Sequence, residues 1–465
     1  MGSLSLRGHF SKLAVPVGLL LVVMVASFTR FDGLGTPHSY IADEGFYAPD
    51  GCLYVVKSVK TCHRSAEASP EHPPLGKWLI GLGIRLTSYT PTGWRTAPAI
   101  AGVLTVVLLF FLGLELLGSV VWATFAALLL ALDPLHIVQS RIATLDVFVA
   151  LFGVAAVLLT VLDARRPSAR LIPSFRLASG IACGAAVASK WSGVFALGAV
   201  LAITLIQRRA DLPRRLASVA VAFGVVPFLV YCASFAGRIH GRLIAAPWAH
   251  QALAWRLIHR QFEMWRAQTG AFATSAYQSS PWSWPLLKRP DVHYASVSHG
   301  QIREVLAVGS PIVWWLGLGS FLFATVTAVR SRGRKLAPVV VSATIGFTYL
   351  PWLLVGQGRS FVFLYYMTPV VPFLCLAAAW GISRLGRASR WVLPAVALTS
   401  ALLLVLWWPI LTANPISYGG WRDRVVFHDC RPGDQPEKLP PDRGGQPSGW
   451  LQLLHGRPPH GWCWV

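Results

Sequence analysis

Long apolar runs, separated by short gaps that carry arginine, set the rhythm of this chain. The first runs from Leu13 to Phe28. Others fall near Ala97–Leu117, Val120–Val138, Ala143–Leu162, Leu216–Phe235, Gly309–Val329, Ala337–Val355, Phe361–Trp380 and Trp391–Leu411. Runs that are continuous rather than alternating predict membrane-spanning helices, not a β-barrel. The stretch Leu177–Ile206 behaves differently. At about 1.5 Å per residue it allows two crossings of about 22 Å each, short for a bilayer. Two short or re-entrant helices meeting near Ser189-Lys190-Trp191-Ser192-Gly193 satisfy it, with Lys190 at the outer turn or within the membrane.

The pattern therefore predicts an all-α polytopic membrane protein of about eleven transmembrane helices in one domain, 1–465. Its gaps hold basic clusters: Arg165, Arg166, Arg170 and Arg176, then Arg208, Arg209, Arg214 and Arg215. Arg330, Arg332, Arg334 and Lys335 form a third, and Arg384, Arg387 and Arg390 a fourth. Basic loops stay in the cytoplasm, so the N-terminus is expected inside, as a signal anchor, and the C-terminus outside. That orientation puts three polar segments outside: 30–94, 236–308 and a tail, 412–465. Within the first, Leu75–Leu86 has a helical apolar period but is too short to span, and is expected along the outer interface.

Composition agrees, at 54% hydrophobic and 13% charged residues. A net charge of +22 would suit nucleic acid in a soluble chain, but here it falls in the inner loops, so no nucleic-acid partner is expected. Cys183, Cys232 and Cys375 lie in apolar runs and read as packing residues. Cys52–Cys62 and Cys430–Cys463 are candidate disulfides in an oxidising compartment, with four free thiols as the alternative.

Candidate chemistry gathers in the outer segments. Asp43 and Glu44 adjoin the first span, where one carboxylate suits a general base and the other a cation partner, or both form a solvated loop pair. Arg141 suits a phosphate, or pairs with Asp146 or Glu44. Lys77 in His72-Pro-Pro-Leu-Gly-Lys77 either meets a lipid phosphate or snorkels, and Lys190 is a functional candidate as an intramembrane cation. Trp282 and Trp284 in Ser280-Pro-Trp-Ser-Trp-Pro285 offer faces for a sugar or peptide, or anchor at the interface. The histidines show no zinc spacing, so no metal is expected.

Taken together, these pieces resemble the dolichyl/polyprenyl-phosphate-mannose–protein mannosyltransferases, a family of GT-C-fold membrane glycosyltransferases. The resemblance rests on Asp43-Glu44, His72-Pro-Pro-Leu-Gly-Lys77, Ser140-Arg-Ile-Ala-Thr-Leu-Asp146, Ala188-Ser-Lys-Trp-Ser-Gly193, Ser280–Pro285, Gly309-Ser-Pro-Ile-Val-Trp-Trp315 and Arg359-Ser-Phe-Val-Phe-Leu-Tyr-Tyr366, in that order. The family usually has Asn in place of Ser310, and the β-trefoil insert of its eukaryotic members has no room in the second outer segment. That looks like the bacterial type, in the cell membrane.

The resemblance implies transfer of mannose, with inversion, from polyprenyl-phosphate-mannose to Ser/Thr hydroxyls of translocating proteins on the outer face. It implies Asp43 and Glu44 as catalytic. It implies Arg141, Lys190 and Lys77 at the donor phosphate, and His72, Tyr47, Trp191, Trp282, Trp284 and Arg359 around the substrates. No cofactor is required by this scheme; the protein translocon is a candidate partner. A lipid-linked glycosyltransferase acting on a glycan or lipid acceptor is the nearer alternative, and a lipid-sugar transporter the more distant one.

Overall fold

Lipid offers no partner to a backbone N–H or C=O, so apolar runs close their own hydrogen bonds as helices. A computed structural model describes residues 3–56, 59–64, 66–166, 172–210, 212–239, 241–245, 253–269, 279–298, 300–355 and 362–425. The first span is α1 (Ser3–Phe31), followed by α2 (Glu44–Val55) and α3 (Leu75–Leu86) in the first polar segment. Then come α4 (Pro91–Leu117), α5 (Val120–Leu132), α6 (Pro134–Arg141) and α7 (Asp146–Arg165). The arginine-flanked stretch gives α8 (Ser174–Ser189) and α9 (Val194–Arg208). Next are α10 (Leu212–Ala220) and α11 (Val226–Ser234), joined by a π-turn.

The second polar segment holds structure that its pattern does not announce. It contains a short hairpin, β1 (Arg238–Ile239) with β2 (Arg242–Leu243), then α12 (Leu253–Thr269), and a longer hairpin, β3 (Asp291–Ser298) with β4 (Gln301–Ala307). The chain ends with α13 (Pro311–Arg330), α14 (Leu336–Val355), α15 (Val371–Ile382), α16 (Ser389–Leu411), β5 (Ile416–Ser417) and α17 (Tyr418–Arg422). β5 pairs antiparallel with β4, Ile302 opposite Ile416, which ties the start of the tail to the second outer segment.

Among the described residues seven helices are long and apolar enough to cross a membrane, or eight if α5 and α6 form one bent span. The predicted count of eleven exceeds this. The difference lies in short helices: α8 has 16 residues, and Trp191–Gln207 and Val371–Ile382 are apolar but short. The α5–α6 bend of 61° has a plain cause. Pro134 cannot continue α5, and the Asp133 carboxylate caps α6 by accepting from the His136 N–H at 3.0 Å.

The core sits between α1, α4, α5, α7, α13 and α15, where Phe110, Leu130, Val157, Trp314 and Phe373 are buried. Outward, α1 exposes Leu13, Val17, Leu20, Met24 and Phe28, an apolar stripe that in water would be costly. Such stripes mark the lipid face. The protein is a multi-pass membrane protein.

Candidate active site

The first acidic turn separates two adjacent carboxylates by what surrounds them. Glu44 is fully buried and saturated. Its oxygens accept from Arg95 Nε and Nη2, both at 2.8 Å, and from the backbone N–H groups of Ile41 and Ala143, both at 3.0 Å. Glu44 thus ties the turn to α4 and to the start of the α6–α7 connection; the alternative pairing with Arg141 does not form. Asp43 precedes α2, makes no capping bond and is half-buried. Ala42 before it lies in the left-handed region, φ 44°, held there by its N–H donating to the His293 carbonyl at 3.2 Å. The turn therefore presents Asp43 from both sides.

Burial pushes the Asp43 carboxyl up to about 6, against the pull of Lys190, while Asp146 and Glu71 push it further. Tyr47 hydrogen-bonds to it. The Tyr47 ring meets His72 edge-on, centroids 5.9 Å apart, so the acidic turn and the His-Pro-Pro motif adjoin.

Lys190 sits at the break between α8 and α9, as the short-helix pattern predicts. Its backbone is extended there, and Gly193 lets the chain turn: a Cβ on Gly193 would lie 2.3 Å from the Ala186 backbone. The ammonium donates to Asp146 at 2.7 Å and lies over the Tyr366 ring at 4.3 Å and the Tyr365 ring at 5.7 Å. A cavity of about 340 Å³ opens beside it, lined by His72, Lys190, Trp191, Trp265, Gln268 and Trp352. Trp191 is fixed in that wall by its indole N–H, which donates to Tyr231 at 2.9 Å.

Lys77 does not lie at a lipid interface. It is fully buried, 2.6 Å from Glu67 and 3.2 Å from Asp50, and also donates to the Ser69 carbonyl. Arg260 from α12 and the Tyr54 hydroxyl complete Glu67. Burial pushes the Glu67 carboxyl up, but Lys77 and Arg260 outweigh it and hold it below the usual range. Cys52 and Cys62 form the expected disulfide beside this knot. Cys430 and Cys463 lie outside the described residues, as does Arg359.

Arg141 pairs with neither Glu44 nor Asp146. It donates to the Thr29 carbonyl at 3.1 Å and stacks on Trp408 at 5.5 Å, at the end of α1. Trp282 is exposed, but Trp284 is fully buried against Tyr349, Trp352 and Tyr366 and presents no face to a substrate. It backs the ring beneath Lys190 instead.

Five side chains carry no clear signal in the sequence. Arg95 carries no motif signal, because its partner is 51 positions away. Asp50 and Glu67 look like loop acids. Asp291 on β3 is buried, accepts from the Tyr365 N–H at 3.1 Å and leaves Oδ1 without a hydrogen-bond partner; burial keeps its carboxyl well above the usual range. His293, two positions on, packs edge-on to Tyr365 and meets Gln139 at 2.7 Å. A period-two acid and histidine in a polar segment is the one signal that marks them. Among the described residues no group of three or more His, Cys, Asp or Glu side chains comes together as metal ligands.

The fold is that of the GT-C class of membrane proteins. The Pmt1–Pmt2 protein O-mannosyltransferase complex of S. cerevisiae, solved bound to the sugar donor, superposes with a TM-score of 0.73 at 14% identity, over 89% of this chain and 92% of that one. ArnT from Cupriavidus metallidurans, solved with undecaprenyl phosphate, gives 0.56 at 20% identity, over 83% and 70%.

The model of the dolichyl-phosphate-mannose-protein mannosyltransferase family matches residues 92–241, and that of the C-terminal four-helix region of protein-O-mannosyltransferase matches 254–429. Between them they span most of the chain, and the chain belongs to the protein O-mannosyltransferase family. The polyprenol-phosphate-mannose–protein mannosyltransferases of Mycolicibacterium smegmatis and Mycobacterium tuberculosis are 28% and 27% identical to it. Each match covers 88% of this chain, and 92% and 91% of those proteins.

Proposed function

We propose that this protein transfers mannose from polyprenyl-phosphate-mannose to Ser/Thr hydroxyls of proteins, on the extracytoplasmic face of a bacterial cell membrane, with inversion. The observation that carries the mechanism is Asp43: an acid held in place by its turn, left unsaturated, beside the Lys190–Asp146 pair. With its carboxyl raised to about 6, Asp43 is ionised at neutral pH yet more basic than an ordinary aspartate. The acceptor oxygen attacks the anomeric carbon and its proton passes to Asp43. The bond from that carbon to the phosphate oxygen breaks, and polyprenyl phosphate leaves with the electron pair. Lys190, positioned by Asp146, supplies the charge that stabilises the leaving phosphate.

A second opening supports a lipid donor. An apolar groove of about 940 Å³ runs between α9, α13 and α14, past Leu205, Val329, Phe347 and Leu354, with Arg209 and Arg332 at one end. It shares α9 and α14 with the Lys190 cavity and suits a prenyl chain. His72, Tyr47 and Trp191 then face the sugar and acceptor.

The test is transfer from radiolabelled polyprenyl-phosphate-mannose to a Ser/Thr-rich peptide, in membranes carrying this protein or its Asp43→Ala form. Label on the peptide that vanishes with Asp43→Ala supports the reading. Label on a lipid or glycan acceptor instead would move it to the sister glycosyltransferases.

A further inference from the structure

The helix α12 is built inside out. On its inner face are Arg260, ion-paired with Glu67, Gln261, which accepts from the Tyr231 hydroxyl at 2.5 Å, and Gln268, which donates to the Glu71 carbonyl at 3.0 Å. Leu257 and the fully buried Met264 pack there too, against Tyr231, Phe235 and Trp191. Its outer face carries Trp255, Ile258, Phe262 and Trp265, which are 58%, 49%, 59% and 57% exposed. Spacings of three, four and three residues put all four on one stripe. A helix facing water has the opposite arrangement.

We propose that α12 docks in the headgroup layer of the bilayer, on the same side as the Lys190 cavity, with this stripe toward the acyl chains. Three observations select lipid as the occupant. Tryptophans end the stripe at both sides, and that residue prefers the headgroup boundary. Exposed Arg266 borders it, and its guanidinium suits anionic phosphates. And α12 packs on the end of α11, whose Phe228 and Leu229 are 64% and 58% exposed, so the stripe continues an apolar belt already present.

The consequence reaches the site. Trp265, Gln268 and Thr269 line the cavity with His72 and Lys190, so the membrane surface itself holds one cavity wall in position. This does not depend on which sugar or acceptor the protein uses.

Spin labels placed singly at Ile258→Cys, Phe262→Cys, His259→Cys and Arg266→Cys, in the full chain in nanodiscs of phosphatidylethanolamine and phosphatidylglycerol, test it. The unsubstituted protein, treated identically, supplies the background from Cys232. Collisions with oxygen should exceed those with a water-soluble nickel chelate at 258 and 262, with the preference falling at 259 and 266. Chelate collisions dominating at 258 and 262 would overturn the proposal, because the stripe would face water. Shielding of 258 and 262 from both agents would overturn it equally, because another protein surface would cover the stripe.

Discussion

Two buried knots of acid and cation lie near each other, and only one is left open. Around Lys77, the Asp50 and Glu67 carboxylates are fully engaged by Lys77, Arg260, the Tyr54 hydroxyl and the Ala68 and Ser69 N–H groups, the ammonium also meets the Ser69 carbonyl, and no cavity adjoins the lysine among the openings described above. Around Lys190, the ammonium has one carboxylate, two ring faces and a cavity of about 340 Å³, with Asp43 unsaturated nearby. The same contrast recurs between neighbours, since Glu44 is fully engaged and Asp43 is not. A saturated cluster holds a fold together; an unsaturated one has capacity left for a substrate.

The largest expected effect is on Asp43. Asp43→Asn keeps the shape and removes the base, and should lower the transfer rate by about 10²–10⁴-fold with the protein still folded. Lys77→Met should do the reverse. Leaving Asp50 and Glu67 with one cation fewer costs about 3–5 kcal/mol, read as a lowered Tm, while the rate per folded molecule holds. Removing the Cys52–Cys62 bridge with serines should cost about 2–3 kcal/mol by the same measurement, since it closes a short loop.

A pH profile sharpens the contrast further. The base must be ionised, so kcat/KM should fall as pH drops through about 6, where an ordinary aspartate would hold activity to near pH 4. The smallest effect belongs to Asp291→Asn. Burial pushes its carboxyl well above the usual range, and the amide oxygen can accept from the Tyr365 N–H in its place, so the substitution should leave the acid limb where it was.

Hydropathy made the spans legible, and helical period placed α3 at Leu75–Leu86 with the bounds observed. The break at Lys190 was legible too, because thirty residues flanked by arginines cannot make two full spans. What the sequence hid was pairing. Nothing local says that Glu44 belongs to Arg95 rather than Arg141, or that Lys77 is buried, because those partners meet only after long-range packing. Trp282 and Trp284 look alike in sequence, yet one 3₁₀ turn sends the first outward and the second into the core. Asp291 was missed because a buried acid and a loop acid are written with the same letter.

The most direct test of the contrast between the two knots is the single-turnover transfer rate per folded molecule for Lys190→Met and Lys77→Met, side by side in the same membranes. The rate should fall about 10²–10³-fold for Lys190→Met, as for other lost charge-stabilising groups, and stay near normal for the surviving Lys77→Met protein. A normal rate in Lys190→Met, with the loss falling on Lys77→Met instead, would contradict that contrast.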